Sequence, residues 1–381
     1  MNKLAFKTTI ITGLFLLTSY NGFSKNIYTK SVEFVDVQKA LFNSLPGDTI
    51  CLPKGVGDWQ ADLRLKVPGG ITIIGKGHDQ TIIKRTKSSK HHLIVFDGSN
   101  GKPNELHNIG FEGTYTPGDT AKDFTRAVRL LNGCIDFKIS GCKFTGFAAC
   151  AICLKDKKGN KATQRGVIYK NQFIDNYYDQ IRNYGYAIVV SGNNARTELE
   201  LGTKNAVFVE DNFFSGNRHH IASNDNSVYV FRYNKVKHTN PVRNYAMTDA
   251  HGKSITPYGS RSFEIYNNEY YTEDGMDSRA RNAIGIRGGD GVIFNNKCTD
   301  KIYRTVELYA EGFPKDSYSG ECQTREIYIW NNETHDELGI TKKGIKNNSE
   351  YALKEGENYF LKKKPGYKPY PYPHPLRTEI N

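Results

Sequence analysis

Beyond its first two dozen residues, the 381-residue chain has no apolar run approaching the length that crosses a bilayer. It lacks a Lys/Arg tract and any nucleic-acid-binding motif, and it contains neither an HExxH spacing nor an EF-hand loop. Two-residue hairpin turns are scarce, and amphipathic helical periodicity is confined to one short stretch, Val37–Leu45. Together these absences set aside a membrane-spanning protein, a nucleic-acid binder, a zinc protease, a helical bundle and a hairpin-built sandwich. The first residues are a separate matter. Lys3 and Lys7 lead into the apolar run IITGLFLLT, and small polar residues follow. That is the pattern of a secretory signal peptide over 1–24, with a secreted or periplasmic chain over 25–381 and no membrane span after its removal. No cysteine follows the run, so a lipid anchor is not indicated.

The formal net charge is +12, or +10 without Lys3 and Lys7. The basic residues are scattered, and in an exported protein that excess favours an acidic polysaccharide over nucleic acid as partner. The sequence leaves the oligomeric state open, a monomer being the simpler reading. Seven cysteines, at 51, 134, 142, 150, 153, 298 and 322, form an odd set. CAIC at 150–153 sits in strand-like surroundings, where alternation sends positions i and i+3 to opposite sides. Buried structural thiols are the expectation, with room for one disulfide in an oxidising compartment.

A strand that ends in asparagine recurs along the chain. It reads GVIYKNQF (166–173), AVFVEDNFF (206–214), SVYVFRYNKV (227–236), SFEIYNNEYY (262–271), GVIFNNKCT (291–299) and EIYIWNNETH (326–335). Short β-branched and aromatic strands in units no shorter than 22 residues (Asn212 to Asn234) predict an all-β, single-stranded parallel solenoid. Asparagine fits the corners, because it tolerates left-handed backbone and its amide can bond the asparagine of the next coil. The short helix would cap the open N-terminal end. The Pro/Tyr-rich tail, 364–381, is expected to lie extended along the outside.

ALFNSLPGDTICLPKG and GITIIGKGHDQTIIKR resemble the opening coils of the pectin-lyase-like superfamily, exported right-handed parallel β-helix proteins. GYKPYPYPHPLR (366–377) resembles a C-terminal segment of its bacterial members. The resemblance spans nearly the whole mature chain and implies the fold. Its members include lyases, hydrolases and epimerases, so it implies chemistry only broadly. Paired-aspartate and GHG hydrolase signatures are missing, as is the RxPxxR pattern of pectate lyases.

Second segments repeat between those strands: YGYAIVVSG (184–192), RHHIASN (218–224), AMTDAHGK (246–253), NAIGIRGGD (282–290) and RTVELYAEG (304–312). Stacked coil on coil, they would place a polar face on one sheet. Simple alternation from an inward Ile221 makes His220 outward and His219 inward or at a bend. The face then offers His220 or His251 as base, and Arg218 and Arg287 to grip carboxylate. Asp249 would orient a histidine, and His219, Lys253, Tyr258 and Arg261 would contact substrate. Arg279 and Arg281, in an inserted loop, could wall the groove. By β-elimination these groups would cleave a uronic-acid polymer; glycoside hydrolysis and non-catalytic glycan binding are the alternatives. The resemblance makes Ca2+ a possible cofactor, with Asp249, Asp290, Glu264 and Glu307 as candidate ligands, too dispersed in sequence to define a site. A second histidine pair, in SSKHHLIVF (88–96), is expected to lie away from this face.

Overall fold

The computed structural model describes residues 24–377 apart from 61–62, 88, 117–123, 156–162, 179–184, 193–197, 240–245, 253–257, 274–279, 300, 310–322 and 334–352. The expected architecture is found. Three parallel sheets of twelve, nine and nine strands run the length of a right-handed β-helix, and each strand pairs with its counterpart one coil away. The twelve-stranded sheet runs from Asn26–Tyr28 to Tyr359–Phe360 and carries the chain tail on its outer side. It is called the tail sheet below. One nine-stranded sheet, from Leu65–Pro68 to Ile302–Leu308, contains His219 and is called the site sheet.

The core is a continuous column of Ile, Val, Leu and Phe from all three sheets. In the remaining sheet the rings of Phe111, Phe144, Phe173 and Phe214 stack one per coil, with centroids 4.9–5.1 Å apart, close to the interstrand spacing of ~4.8 Å. The capping helix spans Phe34–Phe42, three residues earlier than its expected position. The Asn43 side chain bonds the Lys39 carbonyl and Ser44 Oγ bonds the Leu41 carbonyl. These bonds satisfy terminal carbonyls and end the helix before Leu45. Val37 and Ala40 enter the core, so the helix does close the first coil.

The asparagine repeat divides into two roles. Asn171, Asn212, Asn234, Asn268, Asn296 and Asn332 form a ladder, buried except at Asn332, each Nδ2 donating to the next Oδ1 at 2.9–3.1 Å. The corner itself falls on the preceding residue, which adopts positive φ: Lys170, Asp211, Tyr233, Asn267, Asn295 and Asn331. In the three later coils, the first asparagine of each pair therefore turns the chain and the second builds the ladder. A parallel ladder at the next corner runs Asn176 to Asn217 and ends on His220.

The tail lies along the outside, as expected. Fully buried Arg232 donates to Glu210, to the Tyr266 hydroxyl and to the carbonyls of Tyr370 and Pro371 at 2.7–2.8 Å. Tyr372 stacks on Tyr233, and His374 meets Phe208 edge-on.

Candidate active site

Strands of the site sheet do not alternate simply. Leu65–Pro68 does alternate, but the next four send two consecutive residues into the core, Leu93-Ile94, Ala127-Val128, Ala151-Ile152 and Ala187-Ile188, before alternation resumes at Phe96, Leu130, Leu154 and Val190. Outward positions therefore recur at i and i+3. In His219–Asn224 the inward pair is His220-Ile221, both fully buried. This reverses the expected parity. His220 lies inside, its Nδ1 within 3.1 Å of Asn217 Nδ2 and its ring against Phe214, and burial depresses its pKa well below the ordinary value. It is a ladder residue and cannot meet substrate. His219 takes the outward place, where only 3% of it is exposed between Tyr186 and Ala246. The same bend corrects the CAIC reading, because Cys150 and Cys153 share one face.

Register sets Tyr186 directly beside His219, and their rings stack at 5.4 Å with 20° between planes. Arg218 Nη1 donates to the Tyr186 hydroxyl at 3.1 Å, and its guanidinium lies 5.6 Å from that ring's centroid. His219 Nδ1 lies 2.6 Å from the Ala246 carbonyl. That acceptor fixes the proton on Nδ1 and leaves Nε2 with a lone pair. Burial, with Arg218 and Arg287 nearby, lowers the His219 pKa to about 3, so the ring is neutral at ordinary pH. Burial also raises the Tyr186 phenol, against the pull of Arg218, and keeps it protonated.

On the other side of His219 stands Asp249, at the outward position of strand Thr248–Ala250. Arg287 grips it with both arms, Nε to Oδ1 at 3.0 Å and Nη2 to Oδ2 at 2.5 Å. Burial opposes ionisation of this carboxyl, but Arg287, His219 and His251 outweigh it and hold the pKa well below the usual range. His251 is near Asp249 at the end of the same strand and is 8% exposed. The fold thus brings together Tyr186, Arg218, His219, Asp249, His251 and Arg287.

Other expected site residues fall elsewhere. Arg261 pairs with Asp290 at 2.9 Å at the entry to the tail sheet. Tyr258 is exposed beyond His251. Lys253 and Arg279 lie outside the described residues, and Arg281 falls within strand Ala280–Ile286. The four carboxylates considered for calcium do not converge. Asp249 is held by Arg287, and Asp290 by Arg261 and Arg325. Glu264 is held by Tyr367 and the Gly202 amide, and Glu307 by Arg304, Asn282 and Tyr309. A hard cation needs several such oxygens aimed at one point, so this set does not fit Ca2+.

Tyr186 was missed in the sequence because its strand reads as apolar. Its signal was positional: the residue just before an Ala-Ile pair matches His219, Cys150 and Arg126 in register. A groove of about 630 Å3 between the tail and Phe294 and Trp330 lies on the tail sheet, away from these groups.

No protein-family model matches the chain, and no curated protein matches it. Among solved structures it is similar to an alginate lyase from Paenibacillus sp. str. FPU-7, with TM-score 0.54 and 12% identity over 83% of this chain and 97% of that one. It is also similar to a pectin methylesterase from Yersinia enterocolitica, with TM-score 0.43 and 13% identity over 84% and 96%. A third likeness is to a mannuronan C-5 epimerase A-module from Azotobacter vinelandii, with TM-score 0.41 and 12% identity over 83% and 96%. At these identities the likeness is one of fold, the right-handed parallel β-helix.

Proposed function

We propose that the chain is an exported polysaccharide lyase that cleaves a uronic-acid polymer by β-elimination, with the Tyr186–Arg218–His219 group as its catalytic centre. The observation that carries this reading is the His219 imidazole stacked on the Tyr186 phenol beneath the Arg218 guanidinium, in surroundings whose burial favours the neutral imidazole and the protonated phenol. β-Elimination needs a base for the C5 proton, an acid for the departing oxygen, and positive charge on the carboxylate that acidifies C5. His219 Nε2 takes the proton, Tyr186 supplies one to the leaving group, and Arg218 engages the carboxylate. The Asp249–Arg287 pair, with His251, sets the adjoining subsite.

Hydrolysis is less well supported. It needs a carboxylic acid and a carboxylate flanking the bond. Asp249 and Glu307 stand two strands apart, roughly 10 Å from the interstrand spacing, and each is bound by an arginine. Net charge +10 without Lys3 and Lys7 supports an acidic polymer, and the alginate lyase likeness puts alginate first in the panel. Among the described residues, no helix is long and apolar enough to cross a membrane.

Incubation with alginate, pectate and glycosaminoglycans tests the reading, with ultraviolet absorbance following the unsaturated uronate. Absorbance that disappears in His219→Gln supports it. New reducing ends without absorbance replace it with hydrolysis, and binding without either product leaves a glycan-binding solenoid.

A further inference from the structure

One coil below Tyr186 the site sheet carries a different set of groups. Cys150 pairs in register with Tyr186, and Ala151 and Ile152 enter the core between Cys150 and Cys153. Both sulfurs consequently leave the sheet on its outer side. His92 occupies the position of Cys150 two strands down, through Arg126. One imidazole nitrogen and the two Sγ atoms all lie within 4.8 Å of one another. His92 is 7% exposed, and its Nε2 is buried without a hydrogen-bond partner. Cys150 and Cys153 are free thiols, the first buried and the second partly exposed. Cys134 and Cys142 donate to backbone carbonyls, whereas Cys150 and Cys153 hydrogen-bond each other and Cys153 meets His92.

Nothing in β-elimination calls for this cluster. In a tetrahedral zinc site, bonds of ~2.3 Å to sulfur and ~2.0–2.1 Å to nitrogen put neighbouring ligand atoms roughly 3.5–3.8 Å apart. A closure of about 1 Å brings the three atoms to that spacing. Soft sulfur with imidazole selects Zn2+ over the oxygen-seeking Ca2+. The intervening strand adds Arg126 and Arg129, whose positive charge works against the Cys153 hydrogen bond and the burial that raise the Cys150 thiol.

We propose that His92, Cys150 and Cys153 bind one Zn2+ per chain, with the fourth position open to water. Each thiol releases its proton to solvent on binding, and two thiolates with a neutral imidazole balance the charge of the ion. The site is built from an early coil and the only CxxC of the sequence, and it is separate from the residues assigned to elimination.

Co2+ added to reduced, metal-free full-length protein provides the test. One equivalent should produce a thiolate-to-cobalt charge-transfer band, and Zn2+ should bleach it. Cys153→Ser and His92→Ala should weaken Zn2+ binding by more than the roughly 10–100-fold that loss of an outer partner costs. Cys51→Ser, on the tail sheet, should leave the band unchanged. Absence of the band in the unmodified protein overturns the proposal whatever the variants do. So does a Cys150–Cys153 disulfide found by non-reducing peptide mapping of protein isolated without added reductant.

Discussion

At His219 and His220 a single backbone irregularity decides which imidazole can do chemistry. His219→Gln should abolish lyase turnover while the far-ultraviolet circular dichroism stays that of a β-helix. His220→Leu should do the opposite. It removes the end of an asparagine ladder and leaves Asn217 underbonded, so thermal stability should fall by about 1–3 kcal/mol, with turnover retained in the folded fraction. The pH profile separates the reading from an ordinary histidine base. Burial holds His219 at about 3 in the folded state against 6.5 free. Its neutral form contributes stability above pH 6.5, and that contribution is lost as pH falls from 6.5 toward 3. kcat/KM should consequently show no acid limb near pH 6.5, and its alkaline limb should lie above the ordinary phenol value because Tyr186 is raised. A limb near pH 6.5 refutes His219 as base. Arg218, His219, Asp249, His251 and Arg287 were legible in the sequence as one cluster, since stacking alone gathers them. Their orientation was not, because alternation fails where two residues in succession turn inward.

The strand-and-corner unit was the most readable element, and its asparagines were recognised for the right physical reasons. What the letters could not separate was the two jobs, because Asn267-Asn268, Asn295-Asn296 and Asn331-Asn332 are doubled while earlier coils use Lys170, Asp211 and Tyr233 at the turn. Asn234 accepts from Asn212 and donates to Asn268. Asn234→Leu should cost about 1–3 kcal/mol of stability by stranding both neighbours, whereas Asn267→Gly, at a corner with φ 56°, should be close to neutral. Chemical denaturation of the two variants side by side checks the assignment. The carboxylates give another result at this scale. Each is bound by arginine, tyrosine or amide, so calcium added to the protein should leave turnover unchanged. A calcium-dependent rate would mean that the Asp249–Arg287 pair opens in solution.

Across the whole molecule, the length and topology of the solenoid follow from the repeat, and the tail sheet explains a buried arginine that the sequence did not mark. Arg232 ties Glu210 and Tyr266, on the coils either side of its own, to carbonyls near the C-terminus. Arg377 reaches the same Glu210 from the tail. Arg232→Met should destabilise by about 3–5 kcal/mol, since it removes one partner of a buried pair, and should expose the segment after Gly366 to limited proteolysis. If the tail stays protected in that variant, the aromatic contacts of Tyr372 and His374 hold it without the arginine.

The double-inward bend has a bearing on how such a chain can be rewritten. Because the rungs of the site sheet after the first show two outward letters three places apart, exchanging one coil edits two adjacent groups and leaves the rungs above and below in register. A thiol pair on one rung and a phenol on the next are thus independent insertions into a common frame. Swapping them between coils should transplant either chemistry without redesigning the scaffold.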